Sequence, residues 1–184
     1  MSLNAGSQEG VKKEIYLCYD DSDEFYKQEF ESFLAKRFTI KNVEIPNKEN
    51  MNPETYVHTL LTNKIITSET VILVFVGNET FENRFVDWEI HAGLKDGKSK
   101  ELDSHCALVA LVTPNFKFRK EKAITRRTKI PKRLLDNIDS KYCKIYPWTY
   151  SSAGIQKVVN DAYSRKEHFK DKRVNTAPRL EKSK

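Results

Sequence analysis

The chain has 184 residues, 39% of them hydrophobic, and a formal net charge of +6, which suits one domain of ordinary size with a real buried core. Its longest apolar runs, VILVFV and ALVALV, are six residues each, far short of the roughly 20 that a membrane helix needs. No spanning helix is expected, and without an apolar leader secretion is not expected either.

MSLNAGSQEG reads as a tag remnant or loose leader, so residues 1–12 are set outside the fold. EIYLCY (14–19) is a short apolar and aromatic run stopped by an Asp-rich turn, the pattern of a buried strand. DDSD then offers helix N-caps, and Tyr26, Phe30, Phe33 and Leu34 recur at helical spacing from Glu24 to Arg37. Phe38 to Ile45 alternates apolar and polar with one slip, as an edge strand would. IPNKENMNP is a polar loop, and Pro53 opens a second helix at the position where proline is tolerated. Val57, Leu60, Leu61 and Ile65 form that helix's apolar stripe.

Val71 to Val76 is a continuous β-branched run, expected of a parallel strand buried on both faces. GNETFEN turns into a helix over 84–97 that Gly97 closes. His105 to Val112 is another buried strand. A long basic loop follows from 114 to about 130, and IPKRLLDNID holds about one helical turn. KYCKIYPW is a last short strand. Ser152 to about Phe169 is a final helix with Ile155, Val158, Val159 and Ala162 on one face. The charged chain past Lys170 has little to bury and is expected to fray. Strands alternating with helices predict an α/β fold: a parallel sheet with helices on both faces, in one domain spanning 13–170 with a flexible tail over 171–184. In such folds ligands bind outside the carboxyl ends of the strands. The loops after Tyr19, Val76 and Val112, and near Tyr146, are therefore the candidate ones.

The helix RFVDWEIHAGL raises a specific question. Helix neighbours lie three and four residues apart, and for Glu89 these are Phe85, Val86, Ala92 and Gly93. None is basic, so no local ion pair explains the carboxylate. At about 100° per residue, Val86, Ile90, Gly93 and Leu94 share a face that should pack on the sheet. Phe85, Trp88 and Ala92 fall opposite, where they should line a cleft or meet another subunit. Glu89 stands at the border. Its plainer reading is a solvated boundary residue.

Charge is unevenly spread. Between Lys117 and Arg133 there are nine basic residues and one acid. Asp20 to Glu31 carries Asp20, Asp21, Asp23, Glu24, Glu29 and Glu31 against Lys27 alone. The basic loop, with Phe116 and Phe118, has the composition to hold phosphate, but no nucleic-acid motif frames it, and contact with an acidic surface is the more ordinary use. The acids after the first strand suit helix capping. They would also suit a receiver's Mg²⁺ site, but the third strand ends Val76-Gly77-Asn78 without the phospho-acceptor Asp. Phosphate-cradling glycine loops are absent, as is a nucleophilic serine elbow. His91 and His105 are isolated. Cys18, Cys106 and Cys143 are far apart with no metal spacing. They are expected to be buried free thiols in a reducing cytoplasm, and no metal is expected.

Three stretches taken in order, EIYLCYDD, then IITSETVILVFVGNETFENRFVDWEI, then IPKRLLDNIDSKYCKIYPW, resemble the TIR-like domain of the Thoeris antiphage type over roughly 14–165. The strand VILVFVG leading to aromatic-V-x-W-E-I, and I-P-x-R-L-x-D-N-I, carry the likeness. The resemblance implies a flavodoxin-like sheet of five parallel strands. It implies cleavage of NAD at the nicotinamide–ribose bond, with formation of a cyclic ADP-ribose signal. NAD is then a substrate, and no separate cofactor is implied. The family's catalytic glutamate falls on Glu89, and its preceding aromatic, usually Trp, on Phe85. Tyr19 fits the aromatic after strand one. Cys18 stands where many members have Ser, and Asp20 and Asp21 where some have Arg. Tyr19, Asp20, Asp21, Gly77, Phe85 and Trp88 are the expected substrate-binding positions, with self-association expected for activity. The alternative is a catalytically silent TIR-like interaction module; nucleic-acid binding trails both.

Overall fold

The structure is a computed structural model that describes residues 13–34, 36–41, 44–95, 105–116 and 127–181. The Phe33 side chain, Val43, Gly97 and the basic stretch 117–126 lie outside the described part. Strands β1 (Glu14–Cys18), β2 (Thr39–Lys41), β3 (Thr70–Val76), β4 (Ala107–Val112) and β5 (Ile145–Pro147) form one sheet in the order β2-β1-β3-β4-β5. Every pairing is parallel, with Ile15 beside Ile40 and Val71, and Val71 beside Ala107. The five-stranded parallel sheet of the flavodoxin type is therefore present. The strand order reverses between β1 and β3, which places a crevice at their carboxyl ends.

The helices are α1 (Glu24–Leu34), α2 (Pro53–Thr62), α3 (Arg84–Gly93), α4 (Lys132–Asp139) and α5 (Ser152–His168). The alternation of β3 sorts them onto two faces, because successive side chains of a strand point to opposite sides. Val71, Leu73 and Phe75 pack with Phe30 and Leu34 of α1 and with Ile155, Val158, Val159 and Ala162 of α5. Ile72, Val74 and Val76 pack with α2, α3 and Leu134 of α4. Helix starts follow local chemistry. The Asn52 side chain accepts from the Thr55 amide at 2.8 Å with Pro53 just inside α2, and Ser151 caps α5. No helix among the described residues is long and apolar enough to cross a membrane. All three cysteines are free and buried.

Several boundaries differ from the sequence reading. The second strand is Thr39–Lys41, three residues rather than eight, and Ile45 packs into the core. Helix α3 stops at Gly93, four residues early. A Cβ at Gly93 would lie 1.9 Å from Ile72 Cδ1, so the helix closes where its backbone sits directly on β3. IPKRLLDNID makes two turns rather than one, since Arg133, Leu134 and Asn137 are all buried on one side of α4.

The charged chain past Lys170 was expected to find nothing to pack on, and this needs correction. Residues 173–180 lie as a strap along α3 and α4. Asn137 donates to the Val174 carbonyl and accepts from its amide. Arg133, 0% exposed, pairs with Asp87 at 3.0 Å and donates to Asn175 and to the Ala177 carbonyl. The Leu180 amide donates to Asp87, and its carbonyl accepts from the Trp88 indole at 2.8 Å. Arg179 pairs with Glu54 on α2. The strap holds by backbone groups and by charges buried beneath it, which no hydrophobic pattern reveals.

Candidate active site

Asn83 begins the site. Its side-chain oxygen accepts from the amides of Phe85 and Val86, capping α3, while its amide nitrogen donates to Asp20 at 2.8 Å. One residue thus ties the loop after β3 to the loop after β1. Asp20 also accepts from the Ser22 amide and hydroxyl. Burial works against ionising Asp20, but these hydrogen bonds outweigh it and hold its pKa below the ordinary value.

From that fixed start, α3 carries Glu89 inward. The residue is 8% exposed. Tyr16 of β1 and Tyr56 of α2 both donate to its Oε1, at 2.9 and 2.8 Å. Desolvation raises the Glu89 pKa, while the two phenols, the Cys18 thiol and the Lys48 charge oppose that rise without cancelling it. The phenols are pushed well above the usual tyrosine range, first by burial and then by the carboxyl they touch. Both remain protonated donors.

Glu89 lies on the wall of a cavity of about 790 Å³, at the β1/β3 switch point. Tyr19 and Asp21 contribute from the loop after β1, and Phe85 and Arg84 from the start of α3. The loop after β2 adds Ile45, Pro46 and Lys48. Two cations stand over an aromatic floor: Lys48 Nζ is 4.9 Å from the Phe85 ring centre, and the Arg84 guanidinium is 4.7 Å from it. Arg84 is braced by Glu49 at 2.7 Å. A volume of this size suits a nucleotide-sized ligand. The desolvated Glu89 carboxyl, the Lys48 and Arg84 cations and the Asp21, Glu24, Glu44 and Glu49 carboxylates share its wall.

The expected site residues divide. Glu89, Tyr19, Asp21 and Phe85 meet at the cavity. Asp20 does not line it; its carboxylate organises the loop behind. Gly77 does not line it either. A Cβ there would stand 1.9 Å from Asp23 Oδ2, so glycine is required by a buried aspartate pressed onto the backbone. Trp88 is the clear correction. It is 2% exposed, in edge contact with Phe85 and Tyr56 and capped by the Leu180 carbonyl. The wheel found the sheet-facing stripe correctly but took the opposite face as open, whereas α2 and the strap cover it. The basic loop also loses a member, because Arg133 is buried under the same strap.

Tyr16, Tyr56, Asn83, Lys48 and Arg84 were missed. A tyrosine inside an apolar stripe was the available signal for two of them, since a buried phenol needs a hydrogen-bond partner. Asn83 stands immediately before a helical run, where an asparagine cap is ordinary. Nothing local marked Lys48, which reaches the cavity only through the turn after β2.

With this geometry in place, comparison with known families is informative. Residues 16–102 match the model of the family described as Thoeris protein ThsB, TIR-like domain. The matched span runs from β1 through α3 and so contains every residue named at the cavity. No curated protein matches the chain.

Proposed function

We propose that the chain, whose residues 16–102 match the TIR-like domain of the Thoeris protein ThsB, serves in antiphage signalling and cleaves NAD at the nicotinamide–ribose bond. The observation that carries the proposal is Glu89: a desolvated carboxyl on the wall of a nucleotide-sized cavity, at the switch point of a parallel sheet. In the reaction the ribose C1′–N bond breaks and its electron pair passes to the pyridinium ring, releasing neutral nicotinamide. The ribosyl centre becomes oxocarbenium-like. A carboxylate beside it stabilises that charge or holds the ribose hydroxyls, more strongly in a site shielded from water. Water then captures the centre with loss of a proton, or a nitrogen of the same molecule's adenine does so and closes a cyclic ADP-ribose.

Phe85 offers a face for a ring, and Lys48 and Arg84 offer charge to a diphosphate. Activity is assigned to an assembled form, through contact between the acidic surface around Asp21 and Glu24 and basic residues such as Arg127 and Lys129. Three free thiols fit a reducing cytoplasm. The test is to incubate the protein with NAD and measure free nicotinamide, with Glu89→Gln alongside. Release by the wild type and none by Glu89→Gln is expected. An active Glu89→Gln protein rejects the assignment.

A second reading has its own observation. Two phenols already satisfy Glu89, and a buried polar cluster can serve the fold alone. A wild type silent on NAD across concentrations that drive its self-association supports that interaction-module reading.

A further inference from the structure

We propose that Tyr16 and Tyr56 form a positioning clamp that makes the two oxygens of Glu89 unequal: one is held as a double acceptor, and the other is the single point through which the carboxyl meets a ligand and carries its proton. The clamp is independent of which ligand binds. Its place in catalysis rests on the NAD-cleaving reading.

Both hydrogen bonds, 2.9 and 2.8 Å, converge on Oε1. Each phenol has one proton to give, and each gives it to the same atom. Tyr16 is fixed in β1 and Tyr56 in α2, with relative exposures of 4% and 2%, so neither donor can swing away without repacking the core. Oε1 is thereby saturated and cannot take a proton without losing a donor. When Glu89 is neutral, its proton sits on Oε2, the oxygen the clamp does not hold. When Glu89 is ionised, the phenols draw charge toward Oε1, and Oε2 is the oxygen they leave to other donors, the nearby Cys18 thiol or a ligand. A half-turn about the last side-chain bond only exchanges equivalent atoms, so the two positions, not their labels, are what the clamp defines.

An exposed glutamate presents either oxygen over a broad range of that torsion. Here the approach is reduced to one. This is the preorganisation needed by a group that must meet a ribose hydroxyl or a developing charge at a set place. Among the described residues, the titratable groups facing Glu89 are Tyr16 and Cys18 from β1, Tyr56 from α2, and Lys48 from the loop after β2.

The sign of the clamp's effect follows. Phenol donors favour the charged carboxylate, so removing them raises the Glu89 pKa further. The experiment titrates ¹³C-labelled glutamate carboxyl carbons by NMR in the wild type, Tyr16→Phe, Tyr56→Phe and the double variant, with Glu89→Gln identifying the resonance. Phenylalanine keeps the ring and removes only the donor. Each single variant should raise the Glu89 midpoint, and the double should raise it by about one pH unit. A midpoint that stays or falls in both single variants overturns the clamp, and the singles suffice if the double does not fold. NAD cleavage is followed in parallel, where the acid limb of the pH profile should move upward by the same amount. A merely structural pair would lower stability and leave that limb in place. If the midpoint moves as stated but the wild type releases no nicotinamide, the clamp stands and the NAD reading falls. If nicotinamide is released while the midpoint is unmoved, the clamp falls and the NAD reading stands.

Discussion

Replacing Asp23 with asparagine should stabilise the protein at neutral pH and flatten its pH dependence. Asp23 is 0% exposed, and neither carboxylate oxygen makes a hydrogen bond. The Thr80 hydroxyl is near, but it donates to the Phe75 carbonyl and accepts from the Gly77 amide, so its proton is already committed. Burial pushes the Asp23 pKa up to about 6, the Asp20 charge adds to the rise, and Asn115, Thr80 and Glu79 make smaller contributions of mixed sign. The folded state therefore binds this proton more tightly than the unfolded chain does. The associated stability is fully present below the ordinary aspartate range near pH 4 and is lost as pH rises through about 6. Two pH units correspond to at most about 3 kcal/mol. Partial relaxation around an ionised carboxylate should leave about 1–3 kcal/mol. The asparagine side chain carries no proton linkage and has nearly the same shape. Urea unfolding of the wild type and of Asp23→Asn at about pH 3 and about pH 8, on either side of the window between the unfolded and folded pKa values, measures the effect. The variant should gain at the higher pH and much less at the lower. Parallel curves for the two proteins across that range would refute the reasoning.

Three further outcomes follow from the packing. Gly77→Ala drives a methyl into the Asp23 carboxylate and should destabilise by about 1–3 kcal/mol; combining it with Asp23→Ala should recover part of the loss, read by the same unfolding curves. Trp88→Ala empties a core position between Phe85, Tyr56 and the strap and should cost about 3–5 kcal/mol in thermal or urea unfolding. Arg133→Met leaves Asp87 buried at 3% exposure without its partner and frees the strap from Asn175 and Ala177. A loss of about 3–5 kcal/mol is expected, with early protease cleavage between 173 and 181 as the sign that the strap has lifted.

The five strands, their parallel pairing and the two helical layers were legible in the sequence because they rest on periodicity. VILVFV is apolar at every position and must be covered on both faces; Ile155, Val158, Val159 and Ala162 form a helical stripe that must lie on something. Glu89 was legible as an oddity, a carboxylate with no basic neighbour one turn away. Local pattern ends there, and contacts between residues distant in the chain decide the rest. Tyr16 and Glu89 are 73 residues apart, and Tyr56 and Glu89 are 33 apart; only the packing of α2 and α3 on β1 brings two phenols to one oxygen. Trp88 read as outward because a wheel describes one helix against one surface, whereas a strap 92 residues away covers its other side. Charge patterns failed for a related reason. Asp23 and Arg133 belong to runs that are otherwise solvated, but each is buried by the fold, where a charge is held by a partner, as Arg133 has in Asp87, or is disfavoured, as burial raises the Asp23 pKa.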